Sequence, residues 1–214
     1  MMPYKGVYVR LFSMILRKPM REMFGKKVAG RTLKRTPAVY RDMLTKVDDI
    51  GADNPMAGNV YMGFVFLAIW KAADGAISVD DLRALTKAFM KSPVTKKLLG
   101  NRNLNIPENM VKMREKFLGM KAWADARPQY QGKTWDFNFD DTKHRDGVYY
   151  HFTNCPLNNF ARKYGFLEAL PAACEIDHLT CAHQHGVLHR EYTLATGGAV
   201  CDYWIVPDQL ENPV

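Results

Sequence analysis

In the stretch His151 to Phe160, a cysteine stands directly before a proline, at Cys155-Pro156. Proline suits the first turn of a helix, so the residue before it takes the capping position. Thr36-Pro37, Asn54-Pro55 and Ser92-Pro93 place an oxygen there, whereas a thiol accepts hydrogen bonds poorly. A helix start also offers unpaired N–H groups and a positive dipole end, which lower a thiol's pKa and favour the nucleophilic thiolate. Cys155 is therefore a candidate nucleophile.

More reactive side chains follow at helical spacing. On a helix from Pro171 to about His185, the residues Cys174, Asp177, His178, Cys181 and His185 fall at i, i+3, i+4, i+7 and i+11. They share one face, with Ala172, Ile176 and Leu179 opposite. Asp177 or His178 would serve as a base for a water or a thiol. Arg190 offers a fork for a substrate carboxylate. Cys201-Asp202 adds a thiol and a carboxylate, and strand alternation sends Cys201, Tyr203 and Ile205 to one face and Asp202 and Trp204 to the other.

A metal site competes for the same residues. Cys174 and Cys181 stand about 10.5 Å apart along a helix axis, too far to share an ion or a disulfide. A site would pair His178 with one of them and draw ligands from Cys155 or Cys201. Read blandly, the cysteines are small buried hydrophobes and the histidines lie on the surface, which accounts poorly for five such residues on one face.

These residues need a frame to hold them. Val39, Tyr40, Met43, Leu44, Val47 and Ile50 recur at helical spacing after Thr36-Pro37, predicting a helix that starts there and closes at Gly51. The segment after Asn54-Pro55 is apolar nearly all round and predicts a buried central helix, broken at Asp74-Gly75. Ser78 to Asp81 resembles a capping box. Ser92-Pro93 opens a short helix, and Pro107 a longer one anchored by Met110, Val111, Phe117, Leu118 and Trp123. Beyond Pro128 the period becomes two. Thr134–Asp140 and Gly147–Thr153 predict strands, and residues 187–195 and 200–206 a hairpin about Gly197-Gly198. The expected class is α+β: a helical part over 1–128, then an α+β part over 129–214 with about four antiparallel strands and two further helices, all in one domain.

The segments around Cys155-Pro156, Gly165, Cys174, Asp177, Arg190, Thr193, Gly197 and Cys201-Asp202 resemble the L-2-amino-thiazoline-4-carboxylic acid hydrolase family. The resemblance covers roughly residues 147–206, with Tyr203 where the family pattern has phenylalanine. It implies hydrolysis of a cyclic C=N substrate, in which water opens the ring and frees a thiol. It further implies catalytic roles for Cys155, Cys174, Asp177 and His178, and substrate contacts for Arg190, Thr193, Cys201 and Asp202. Attack by water and attack by a thiol both remain open. A non-catalytic or metal-dependent small-molecule sensor is the alternative.

The chain's net charge of +8 lies entirely in its first 50 residues, which hold 12 Lys/Arg and 4 Asp/Glu, while the remainder holds 18 of each. This excess reads as a solvated helical face or as steering for an anionic small ligand, with an arm for nucleic acid or anionic lipid as the alternative. No run of about 18 apolar residues is present to span a membrane. The N-terminal segment does not resemble a cleavable signal, so a cytoplasmic chain with reduced thiols is expected. The expected partner is a small molecule bearing a carboxylate, with neither membrane nor nucleic acid. No cofactor is expected, a divalent metal being the alternative.

Overall fold

Residues 57–73, apolar nearly all round, lie at the centre of the molecule. The computed structural model describes residues 1–144 and 146–210. Its helices are α1 (Gly6–Lys46), α2 (Ala57–Ala73), α3 (Val79–Lys91), α4 (Pro93–Leu99), α5 (Pro107–Asp125), α6 (Pro156–Tyr164), α7 (Leu170–Cys174) and α8 (Ile176–His183). Strands β1 (Asn138–Phe139), β2 (Val148–Phe152), β3 (Gly186–His189) and β4 (Cys201–Pro207) form an antiparallel sheet ordered β1-β2-β4-β3. The fold is α+β.

Phe64 through Ile69 are all enclosed, so α2 buries every side rather than one stripe. Each large side chain removed from water contributes roughly 1.5–3 kcal/mol. Val9, Phe12, Leu16 and Met20 form the inward stripe of α1. Phe12 stacks on Phe89 of α3 at 4.1 Å and meets Phe66 of α2 edge-on at 4.9 Å. On another side of α2, Phe64 meets Phe160 of α6 at 4.5 Å. Gly63 gives α6 its seat there, because a Cβ at that position would stand 3.0 Å from Leu157.

Several predicted starts form as expected. Ser78 and Asp81 make a reciprocal capping box at α3, and the Ser92 hydroxyl accepts the Thr95 amide with Pro93 in the first turn of α4. Thr36-Pro37 does not start a helix. The Thr36 hydroxyl donates back to the Thr32 carbonyl at 2.9 Å, and α1 continues through Pro37. The break falls at Gly25, whose φ of 76° and ψ of 163° separate two helical segments. In α5 Met113 is the buried anchor, whereas Val111 points to solvent.

Two predicted strands are shorter than their alternation suggests, for one physical reason. Asp136 Oδ1 accepts the backbone N–H groups of Thr153 at 2.9 Å and Asn154 at 2.6 Å. A side-chain carboxylate thus replaces a ladder carbonyl, and β1 keeps two residues of the seven predicted. Likewise Asp202 accepts the Glu191 amide at 3.0 Å and the Tyr192 amide at 2.6 Å, so β3 stops at His189.

The helix predicted over 171–185 is two short helices. They join at Glu175, where ψ of −16° marks a tighter, 3-10-like turn. His185 lies beyond α8 at φ 56°, with its Nδ1 3.4 Å from Asp208.

Candidate functional site

The buried face of the sheet supplies one wall. Register sets Phe152 beside Cys201, Tyr150 beside Tyr203 and Val148 beside Ile205. Tyr150 and Tyr203 stack at 5.0 Å with an 8° interplanar angle. Alternation turns Asp202 and Trp204 to the other face, where Trp204 stacks on His144 at 4.2 Å.

Against this wall sits Arg190, just past the end of β3, with a side chain only 4% exposed. Its Nη1 donates to Asp177 Oδ2 at 2.8 Å and to the Tyr203 hydroxyl at 3.1 Å, and its Nη2 donates to the Cys174 carbonyl at 2.8 Å. The Tyr203 hydroxyl in turn donates to the same Asp177 oxygen at 2.8 Å. A buried guanidinium is tolerable only with such partners, because an unpaired charge in a low dielectric costs several kcal/mol. The carboxylate beside Arg190 is thus internal to the protein. The Asp177 side chain keeps 38% exposure, so the triangle is closed on the arginine side and open on the aspartate side.

The thiols surround this triangle. Burial, with help from Asp177 and Cys155, pushes Cys174 well above its ordinary value. Burial and then Asp177 push Cys181 up to about 12. Cys201 is raised by burial despite the Leu194 amide, which donates to its sulfur at 3.1 Å. Cys155 caps α6 with extended backbone but makes no side-chain cap hydrogen bond. Burial pushes its pKa up to about 12, outweighing the Asn158 and Leu157 amides and the Trp135 indole, which favour the thiolate. The expected activation at the helix start is present in kind and loses in magnitude. All four cysteines are free.

The remaining predicted residues divide. His178 follows Asp177 but is exposed; desolvation of its ring and the Arg190 charge hold its pKa below the usual value. Thr193 caps the turn Leu194–Thr196, its hydroxyl accepting the Thr196 amide. Asp202 ties down the same loop from the opposite face of the sheet. Cys155, Cys174, Asp177, Cys181, Arg190 and Cys201 therefore gather, while His178, His185, Thr193 and Asp202 lie around or away from them.

The match to known families spans both halves of the fold. Residues 58–205 match the model of the L-2-amino-thiazoline-4-carboxylic acid hydrolase family. The chain belongs to that family. The match reaches from α2 to β4, well beyond the cysteine-rich segment, and leaves α1 outside it. No curated protein and no solved structure matches the chain. Every residue of the Arg190–Asp177–Tyr203 triangle lies within the span matching the thiazoline-carboxylate hydrolases.

Among the described residues, no group of three or more His, Cys, Asp or Glu is placed to hold a metal ion. A surface cleft of about 450 Å³, lined by Trp70, Asp74, Asp80 and Glu168 among others, lies away from the triangle.

Sequence reasoning missed Tyr203, Trp135 and Asp136. Tyr203 shares the inward face of its strand with Cys201, and that alternation was the available signal. Asp136 sat inside an alternating segment that disguised it as a solvent-facing strand residue. Asn158 is buried at the start of α6, its amide oriented to donate to the Leu194 carbonyl at 3.1 Å and accept from Arg162 at 3.3 Å. It joins the Cys155 helix to the Leu194 loop, whose amide meets the Cys201 sulfur.

Proposed function

We propose that this hydrolase opens a small cyclic amidine of the 2-aminothiazoline-carboxylate kind by direct attack of water, with Asp177 moving the protons. The observation that carries the proposal is the asymmetry of the triangle. Arg190 and Tyr203 both bind Asp177 Oδ2, which keeps the carboxylate oriented, while its partial exposure leaves the other oxygen to meet water.

Water's oxygen adds to the ring carbon between nitrogen and sulfur, and its first proton passes by way of Asp177 to the ring nitrogen. Collapse of the tetrahedral adduct breaks the carbon–sulfur bond. The second proton passes to the departing sulfur as the carbonyl forms, giving an N-carbamoyl cysteine with a free thiol. Neutral, polarisable thiols at Cys155, Cys174 and Cys201 suit a sulfur-containing ring as packing surface better than as nucleophiles. His178, neutral and exposed, provides exchange with bulk water. Arg190, enclosed and committed to Asp177, Tyr203 and the Cys174 carbonyl, acts by orienting Asp177.

Incubating the full chain with 2-aminothiazoline-4-carboxylate and following thiol release tests this directly. Turnover is expected, and Asp177→Asn should lower kcat by about 100-fold or more with a much smaller change in KM. Protonated, raised-pKa thiols at all four cysteines favour a second reading, a binding domain without turnover; calorimetric binding of the substrate with no thiol released would establish it.

A further inference from the structure

The outer side of α1 is unused by the site. Val9, Phe12, Leu16 and Met20 face the core, and Val7, Arg10, Met14, Arg17 and Arg21 follow one another at i, i+3, i+7, i+10 and i+14 on the outside. Val7 is 58% and Met14 59% exposed, although both are large and apolar. Residues 1–35 hold 10 Lys/Arg and one Asp/Glu, and all ten basic side chains are exposed. Among the described residues, two ion pairs involve them, Lys18–Glu22 at 3.8 Å and Arg35–Asp74 at 3.3 Å. The surface is left strongly cationic, with apolar side chains set among the charges.

From this combination we infer that the outer face of the first helical segment of α1 docks onto a membrane surface bearing anionic lipid. Charge alone would suit any polyanion, because phosphate neutralisation is indifferent to the rest of the surface. The exposed Val7 and Met14 decide between occupants. Apolar side chains flanked by arginines are what a helix lying in a lipid interface inserts below the headgroups, and a nucleic-acid backbone offers them nothing. No helix among those described is long and apolar enough to cross a membrane, so docking would be peripheral. This takes up the anionic-lipid alternative for the basic N-terminal segment, and it does not depend on the hydrolase chemistry.

The test is co-sedimentation of the full chain with vesicles of phosphatidylcholine alone and of phosphatidylcholine containing about 30% phosphatidylglycerol. Binding is expected only to the anionic vesicles and should be lost in about 0.5 M salt. Reversing three charges (Arg10→Glu, Arg17→Glu, Arg21→Glu) should weaken it by about 100-fold or more. Met14→Gln, which leaves the charge unchanged, should weaken it several-fold at low salt. Both variants should keep the wild-type circular dichroism spectrum, since the altered residues face outward. The proposal is overturned by failure to bind anionic vesicles at low salt, or by binding that the charge reversals leave unchanged. It is equally overturned if a DNA duplex binds more tightly than the vesicles with Met14→Gln indifferent, or if the chain forms a salt-resistant dimer that shields Met14.

Discussion

Arginine is used in two opposite ways at the two ends of this chain. In the first 35 residues basic side chains stand in water, and the pairs they make are loose: Arg35 and Asp74 are 46% and 71% exposed, 3.3 Å apart. Near the C-terminus a single arginine is almost fully enclosed, and its named contacts fall between 2.8 and 3.1 Å. The charge is the same, but its surroundings differ. In water an ion pair gains little because solvent screens it. In the interior neither partner can be lost cheaply. The exposed arginines contribute a long-range field, whereas Arg190 fixes the position of one carboxylate.

Removing Arg190 breaks the comparison most severely. Arg190→Ala leaves Asp177 beside a buried tyrosine and a carbonyl with nothing to neutralise it, at a cost of about 3–5 kcal/mol. Urea denaturation should show that loss, and activity should fall with it. Arg190→Lys should recover part of the stability but not the geometry, because one ammonium cannot reproduce the planar fork. Activity close to wild type in the lysine variant would mean that the orientation of Asp177 is immaterial.

The thiols sharpen the same contrast through pH. Cys155 and Cys181 are pushed from an ordinary value of 9.0 up to about 12, mainly by burial. Between those values the folded chain keeps protons that the unfolded chain has released. Their contribution is therefore fully present below about pH 9 and is lost as pH rises toward 12. The wild-type urea midpoint should fall between about pH 8 and about pH 10.5, and fall less when Cys155 and Cys181 are both serine. Cys155→Ser alone should keep turnover within about ten-fold of wild type; abolition with the fold intact would restore the covalent thiol route.

The α+β class, the central helix and four of the six gathered site residues were legible because each follows from a local pattern. Apolar residues all round marked α2, and helical spacing grouped Cys174, Asp177 and Cys181. Strand alternation placed Cys201 on the inner face. What escaped was decided by contacts distant in sequence. Asp136 shortens β1 by binding amides 17 and 18 residues away, and Asp202 ends β3 in the same manner from across the hairpin. The thiol at Cys155 was legible as a cap, but the burial that outweighs the helix start comes from elements distant in sequence, with Trp135 and Cys201 beside it, which spacing does not encode.

Tyr203→Phe gives the smallest effect of the site variants and separates two parts of the buried pairing. It removes one oxygen and keeps the ring stacked on Tyr150. Asp177 loses a donor but keeps Arg190, so the loss should be about 1.5 kcal/mol, below that of Arg190→Ala. Arg190 also loses a hydroxyl acceptor at 3.1 Å and retains Asp177 and the Cys174 carbonyl. If the hydroxyl merely completes the packing, urea stability falls while kcat and KM hold. If it orients the carboxylate, kcat falls with KM unchanged. The exposed counterpart is Arg35→Ala, which should cost under about 1 kcal/mol and leave kcat where it was. A loss of kcat in the surface variant as large as that from Tyr203→Phe would mean that the field of the basic helix reaches Asp177, and that the two uses of charge are not separate.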